Sequence, residues 1–208
     1  MTTAEIPTFA DLGLADEIVA VLSARGITHP FPVQALTIPD ALAGRDVCGK
    51  AKTGSGKTLA FGLPVLQKMA KAEPCEPTGL VLVPTRELAN QVCDELTPAA
   101  KAVGRTTLAI YGGAPIEKQI ETLKKGIDLV VATPGRMIDL IERKEITVSQ
   151  VGHVIIDEAD RMADMGFLPQ VEWILRNVEA VHQTLLFSAT LDGVVNSLIR
   201  RYQTDPTM

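Results

Sequence analysis

From Asp46 onward the chain alternates between short unbroken apolar runs and longer stretches whose apolar residues recur three and four positions apart. The runs are Val47-Cys48, Leu80 to Val83, Thr107 to Ile110, Ile127 to Ala132, His153 to Ile156 and Thr184 to Phe187. Continuous rather than alternating apolarity is the pattern of parallel strands covered on both faces. The stretches between them read as helices: Leu59 to Met69, Glu87 to Ala102, Ile116 to Lys124, Met137 to Arg143, Leu168 to Val178 and Val194 to Tyr202. Strand and helix in regular succession predict an α/β fold, a mainly parallel sheet flanked by helices on both faces.

Upstream, Leu14, Ile18, Val19 and Leu22 share one helical face that Gly26 closes, which predicts an amphipathic helix packed on the body. The segment G-I-T-H-P-F-P-V-Q, Gly26 to Gln34, follows, with Pro30 and Pro32 stiffening an extended approach that delivers Gln34 to a fixed place. A second helix is expected over Val33 to Ala43, kinked at Pro39 and stopped by Gly44. Ala72 to Thr78, with Pro74 and Pro77, reads as a flexible connection.

A length of 208 residues suits one well-packed domain. With 46% hydrophobic and 22% charged residues, wholesale disorder is excluded. The net charge of -5 gives no global attraction to nucleic acid or anionic membrane, so any nucleic-acid contact has to come from a local patch. Aromatic residues make up only 4%, which favours gripping a sugar-phosphate backbone over stacking many bases. Cys48, Cys75 and Cys93 are odd in number and far apart, and read as reduced thiols of a cytosolic protein. His29, His153 and His182 are equally scattered, so no zinc site is expected. No apolar run approaches the length of a membrane span and no leader pattern opens the chain, which places the protein in the cytoplasm.

The chemistry is concentrated just after the apolar runs. After the first lies A-K-T-G-S-G-K-T, comprising Ala51, Lys52, Thr53, Gly54, Ser55, Gly56, Lys57 and Thr58. Gly54 and Gly56 can take backbone angles that turn successive N–H groups toward one anion, and Lys57 adds a positive charge. Thr58 opens a helix whose unpaired N–H groups favour phosphate, and its hydroxyl is placed to ligate Mg²⁺ of a nucleoside triphosphate. The full phosphate-loop pattern has glycine where this chain has Ala51, a small departure because the later glycines build the cradle. The bland alternative is a glycine-rich turn with an exposed lysine.

D-E-A-D at 157–160 follows what reads as a central buried strand. A carboxylate there is costly unless a cation balances it, so Asp157 is expected to hold Mg²⁺ and Glu158 to orient and deprotonate an attacking water. The alternative is an acidic helix N-terminus. Gln34 carries a donor and an acceptor side by side, which matches the edge of adenine, although by itself such a glutamine is more often a surface or capping residue. P-T-R-E-L brings Pro84, Thr85 and Arg86; then come Gly112-Gly113 and T-P-G-R, which is Thr133, Pro134, Gly135 and Arg136. Thr133 reads as an N-cap with Pro134 in the first helical position, and such helix starts offer free N–H groups to phosphates. S-A-T, with Ser188 and Thr190, resembles a cap. In open α/β sheets ligands bind beyond the carboxyl ends of the strands, so these clusters are expected on one rim as a single composite site.

Phe9, the glutamine segment, the phosphate cradle, P-T-R-E-L, the glycine pair, T-P-G-R, D-E-A-D and S-A-T, in this order, resemble the DEAD-box RNA helicase family, and R-M-A-D-M-G-F after the acidic box is similar to its bacterial members. The resemblance implies a RecA-like P-loop domain that uses ATP and Mg²⁺. It implies that Phe9 packs against adenine, Gln34 reads its edge, Lys57 contacts the β and γ phosphates, Thr58 and Asp157 serve the metal, and Glu158 activates water. Pro84, Thr85, Arg86, Gly112, Gly113, Thr133, Pro134, Gly135 and Arg136 would hold RNA, and Ser188 and Thr190, bonded to Asp160, would couple the two ligands. Phe31 and Val33 stand where threonine and isoleucine are commoner.

On this resemblance, residues 1–36 would be an N-terminal helix and glutamine motif, 37–205 the ATP-binding domain, and 206–208 the start of a linker. The family's second RecA-like domain, with its arginine finger, is not in this stretch. The expectation is therefore half of a helicase, monomeric and nearly inactive alone. An adaptor without turnover, and a motor acting on double-stranded DNA or in transport, remain the rival readings.

Overall fold

The protein is described by a computed structural model over residues 7–208, except 53 and 192. Six strands form one sheet: β1 (Val47–Lys50), β2 (Gly79–Leu82), β3 (Thr107–Ile110), β4 (Leu129–Ala132), β5 (His153–Ile156) and β6 (Gln183–Ser188). Their spatial order is β1-β6-β5-β2-β4-β3, and every pairing is parallel, so the sheet is wholly rather than mainly parallel.

The unbroken apolar runs have a direct packing cause. Val81, Val131, Ile155, Leu185 and Phe187 point into one core, with α1 (Asp16–Ala24), α2 (Pro32–Leu42), α3 (Lys57–Lys68) and α4 (Arg86–Ala102). Their neighbours Leu80, Leu82, Val130, Val154, Ile156 and Leu186 point into the other. That second core is closed by α5 (Ile116–Leu123), α6 (Pro134–Glu142), α7 (Ala159–Asp164), α8 (Leu168–Asn177) and α9 (Gly193–Tyr202). Successive side chains of a strand face opposite ways, so a sheet covered on both sides has apolar residues at every position.

Three segments gain definition from the structure. Helix α7 was weighed only as the alternative reading of the acidic box, because its six residues overlap that box and are too few to display a period. The connection at 72–78 is tied down: Ala72 N–H donates to Asp128 Oδ1 at 2.7 Å, Cys75 N–H to the Leu123 carbonyl at 3.0 Å, and the Thr78 hydroxyl to the Ala70 carbonyl at 2.7 Å. Its prolines set its shape, and these bonds satisfy its backbone. Residues 206–208 lie along the edge of β1, where Cys48 N–H donates to the Thr207 carbonyl at 2.8 Å. Pro39 lies inside α2, which continues to Leu42.

Gly49 shows how tightly β1 is seated. A Cβ there would sit 2.4 Å from Cε1 and 2.5 Å from Cδ1 of Phe187, whose buried ring packs against Phe61 at a centroid distance of 5.5 Å. Gly49→Ala is expected to destabilise the fold by about 1–3 kcal/mol through overpacking. Urea unfolding checks this; an unchanged midpoint would show that the Phe187 ring is free to yield.

Candidate nucleotide and nucleic-acid site

The register carries the chemistry to one rim. Lys50 of β1 lies beside Ser188 of β6, Leu186 beside Ile156 of β5, Ile156 beside Leu82 of β2, Leu82 beside Ala132 of β4, and Ala132 beside Ile110 of β3. The strands end nearly level, so the segments that follow them form one row. Read across the sheet they are the cradle, S-A-T, D-E-A-D, P-T-R-E-L, T-P-G-R and the glycine pair.

In the cradle, Gly54 and Gly56 adopt φ of 82° and 83°, the left-handed region that glycine enters without penalty. Gly56 is the N-cap of α3, so the free N–H groups of that helix face the loop. Thr53 lies outside the described residues. Lys57 is 5% exposed and its Nζ lies 2.7 Å from Asp157 Oδ1 and 3.6 Å from Glu158 Oε1. The cradle lysine and the acidic box therefore meet, although 100 positions separate Lys57 from Asp157 in the chain.

Asp157 is fully buried, and burial pushes its carboxyl above the usual range against the opposing pull of Lys57. Its Oδ1 also accepts the Glu158 N–H at 2.8 Å, while Oδ2 is buried with no hydrogen-bond partner. A buried orphan oxygen of this kind is costly, and a hard cation is the partner that suits it. Glu158 has φ of 53°, uncommon for a residue with a side chain, and stands at the N-cap of α7 with no side-chain cap bond. The Arg161 guanidinium donates to its Oε2 at 3.2 Å. Arg161 was not singled out in the sequence; its signal is the spacing of three from Glu158 on a helix.

Ser188 and Thr190 do not cap α9, which begins only at Gly193. The Ser188 hydroxyl instead accepts the Asp160 N–H at 3.1 Å in the first turn of α7, and Asp160 Oδ2 accepts the Ala189 N–H at 3.2 Å. The link between S-A-T and Asp160 thus runs through Ser188 and a backbone amide, and Thr190 is exposed.

Gln34 is buried, and both ends of its amide are engaged. Oε1 accepts the Phe31 N–H at 2.8 Å and Nε2 donates to the Gly56 carbonyl at 3.0 Å. It both supports the start of α2 and ties that helix to the cradle. Phe9 is 1% exposed and packs within the first core.

On the other half of the rim, Pro84, Arg86, Gly112, Thr133, Pro134, Gly135 and Arg136 line one cavity of about 430 Å³. Thr85 caps α4 by accepting the Leu88 N–H at 3.2 Å, whereas Thr133 occupies the N-cap of α6 with no side-chain cap bond. Gly113 has φ of 85°, and Arg86 reaches solvent beside it. Arg136 donates to the Ala114 carbonyl at 3.1 Å and to Gln119 Oε1 at 3.2 Å, and Gln119 in turn donates to the Tyr111 carbonyl. Gln119 holds this corner together, and its only sequence signal is a glutamine on the apolar stripe of α5. Tyr111, Asp139 and Phe167 also line the cavity and were not foreseen.

A wholly parallel sheet with a glycine cradle after its first strand, and a buried lysine–aspartate pair joining that cradle to the end of β5 two strands away, defines a RecA-like P-loop nucleotide-binding domain. The chain belongs to the DEAD/DEAH box helicase family, whose profile matches residues 31–198. It is 45% identical over 199 residues to the DEAD-box ATP-dependent RNA helicase CshA of Bacillus cereus, covering 96% of this chain and 38% of the relative. It is likewise 45% identical over 202 residues to the mitochondrial DEAD-box ATP-dependent RNA helicase 9 of Arabidopsis thaliana, covering 95% of this chain and 33% of the relative. The chain thus spans about a third of the length of these curated relatives. Among the described residues no helix is long and apolar enough to cross a membrane.

Proposed function

We propose that this chain is the ATP- and RNA-binding half of an RNA helicase, acting in the cytoplasm and hydrolysing ATP and separating short duplexes together with a second RecA-like domain. The observation that carries the reading is the convergence of Lys57, Asp157 and Glu158 beside the left-handed glycines of the cradle.

Backbone N–H groups of the cradle and the start of α3 receive the phosphates, and Lys57 leaves Asp157 to contact the β and γ oxygens. Thr58 and Asp157 are the residues that would hold Mg²⁺, whose oxygen-donor preference fits the orphan Asp157 Oδ2. The ion would neutralise charge on the phosphoryl group. Glu158, steadied by Arg161, accepts the proton of the attacking water. Pro84, Thr85, Arg86, Gly112, Gly113, Thr133, Pro134, Gly135 and Arg136 hold the sugar-phosphate backbone, where helix starts and arginine heads supply charge that the whole protein lacks. Ser188 and Asp160 join the two halves. An arginine finger from outside the domain is worth about 10³–10⁵ in rate, so turnover by residues 1–208 alone should be small.

The test is ATP hydrolysis by the chain joined to a second domain, measured with RNA, with DNA and with neither, and with Lys57→Ala as control. Stimulation by RNA that Lys57→Ala abolishes is expected. Equal stimulation by DNA would remove the RNA assignment, and robust unwinding by residues 1–208 alone would remove the need for a second domain.

A further inference from the structure

We infer that residues 203–208 form a strap, pinned to β1 by Asp46 and Gln203, that delivers a second RecA-like domain joined behind it to the nucleotide rim. Asp46 and Gln203 are then positioning residues for that domain. This rests on the two-domain reading above.

Helix α9 follows β6 away from the rim and ends at Tyr202 on the opposite pole of the sheet, where the Thr204 N–H donates at 2.7 Å to Oδ2 of Asp46, the residue before β1. A chain released there would leave on the side remote from the cradle. Asp205, with φ of 44°, turns it instead. The Thr207 N–H then donates to the Asp46 carbonyl at 2.9 Å, and the Thr207 carbonyl accepts the Cys48 N–H at 2.8 Å, a parallel pairing that sets Thr207 beside Val47. Being parallel, the strap runs as β1 runs, toward the cradle. Thr207 and Met208 line the same cavity as Lys52 and Gly54.

Covering the open edge of β1 would account for the pairing of Thr207. It does not account for Gln203. This side chain is 9% exposed, and its Nε2 donates to the carbonyls of Val47 and Thr184, each at 2.8 Å, while its Oε1 is left buried with no partner. An orphaned acceptor is a standing cost that an apolar side chain of similar size would avoid. What the amide adds is a clamp on β1 and β6 at once, at the point where α9 gives way to the strap. The Asp46 carboxylate grips the same corner, its Oδ1 accepting the Thr184 N–H at 2.8 Å. Both residues stand at the pole away from the catalytic groups, so their effect on turnover passes through the strap.

A tether raises the local concentration of what it carries, and that concentration falls as about the −3/2 power of tether length. Freeing residues 203–208 adds six residues of slack, up to about 20 Å of reach, and starts the tether from the remote pole.

The experiment places one fluorophore on each domain of the chain joined to a second RecA-like domain, and titrates single-stranded RNA in the presence of Mg²⁺ and a non-hydrolysable ATP analogue, reading closure as energy transfer. Gln203→Leu, Thr207→Pro and an insertion of about six Gly-Ser residues after 208 are compared with the natural chain. Gln203→Leu removes the clamp; Thr207→Pro removes a donor at an open edge, where proline is tolerated, and keeps the test decisive should Gln203→Leu fail to fold. All three are expected to raise the RNA concentration at half-maximal closure roughly 2- to 10-fold. Binding of Mg·ADP by residues 1–208, measured by calorimetry, should not change. A shift with the insertion but not with Thr207→Pro would overturn the inference, because the strap would not be what shortens the tether; so would the lack of a shift in all three. Weaker Mg·ADP binding by Thr207→Pro would also overturn it, the strap then shaping the cradle instead. Failure of the natural residues 1–208 to bind Mg·ADP would remove the nucleotide reading itself, and absence of closure in the natural two-domain protein would remove the two-domain reading.

Discussion

Replacing Lys57 with alanine is expected to weaken Mg·ATP binding by roughly 10- to 150-fold, the worth of about 1.5–3 kcal/mol for a hydrogen bond to a charged group. The same substitution should also alter the ligand-free protein. Lys57 is 5% exposed, and its Nζ lies 2.7 Å from a carboxylate that has no exposure at all. Removing one partner of a buried pair costs about 3–5 kcal/mol when the other stays charged. Asp157 can escape part of that cost by taking up a proton, since burial already raises its pKa and Lys57 is the main opposing influence.

The sign of the pH dependence follows. A carboxyl with a raised pKa in the folded state binds a proton that the unfolded chain has released. Its stabilising share is fully present below the unfolded value, near 3.8, and is lost as pH rises through the folded one. Without Lys57 the folded value goes higher still. The deficit of Lys57→Ala should therefore be smallest near pH 4, close to the unfolded value of 3.8, and widen as pH rises. Urea midpoints for both proteins at several pH values check this. A deficit that does not vary with pH would mean that Asp157 is not the group relieved by Lys57.

Much of this site could be read from the chain because strand order does not matter to it. In a parallel sheet every strand ends on the same side, so knowing that Ile156 and Val83 close apolar runs is enough to place D-E-A-D and P-T-R-E-L on one rim. What could not be read is which cluster adjoins which. That β6 lies between β1 and β5 depends on long-range pairing, and it is what puts Ser188 within reach of both Ala51 and Asp160. The side-chain partners were equally hidden. Gln34 was read both toward a base and as a cap, and the fold engages its amide with Phe31 and Gly56; Phe9, which the resemblance sets beside adenine, is buried in the first core. Both are residues whose type suits a ligand and a structural duty alike, and the chain alone does not show their packing partners.

Asp128 is the clearest case of a residue that the apolar pattern concealed, and its substitution should cost the fold most. It sits in the run Ile127 to Ala132, which reads as continuously apolar and hides it, and its exposure is 0%. Its Oδ1 accepts the Ala72 N–H at 2.7 Å, and Oδ2 accepts the Thr106 N–H at 2.8 Å, the Thr106 hydroxyl at 2.9 Å and the Lys71 ammonium at 2.8 Å. One carboxylate thus fastens the segment after α3, the entry to β3 and the start of β4. Asp128→Ala would strand two backbone N–H groups at about 1–3 kcal/mol each. Lys71 is 57% exposed and rehydrates, so it adds little. A loss of about 3–5 kcal/mol is expected, with Asp128→Asn intermediate because it keeps an acceptor. Burial pushes this carboxyl up, but Lys71 and the Ala72 and Thr106 N–H groups outweigh it and hold the carboxyl below its usual value of 3.8. Stability from a depressed carboxyl is present above the unfolded pKa and lost as pH falls through the folded one. The gap between the natural chain and Asp128→Ala should therefore be full at pH 7 and shrink as acid is added below the unfolded value of 3.8. Denaturant midpoints at neutral and acid pH measure it, and a gap that grew in acid would contradict this account of Asp128.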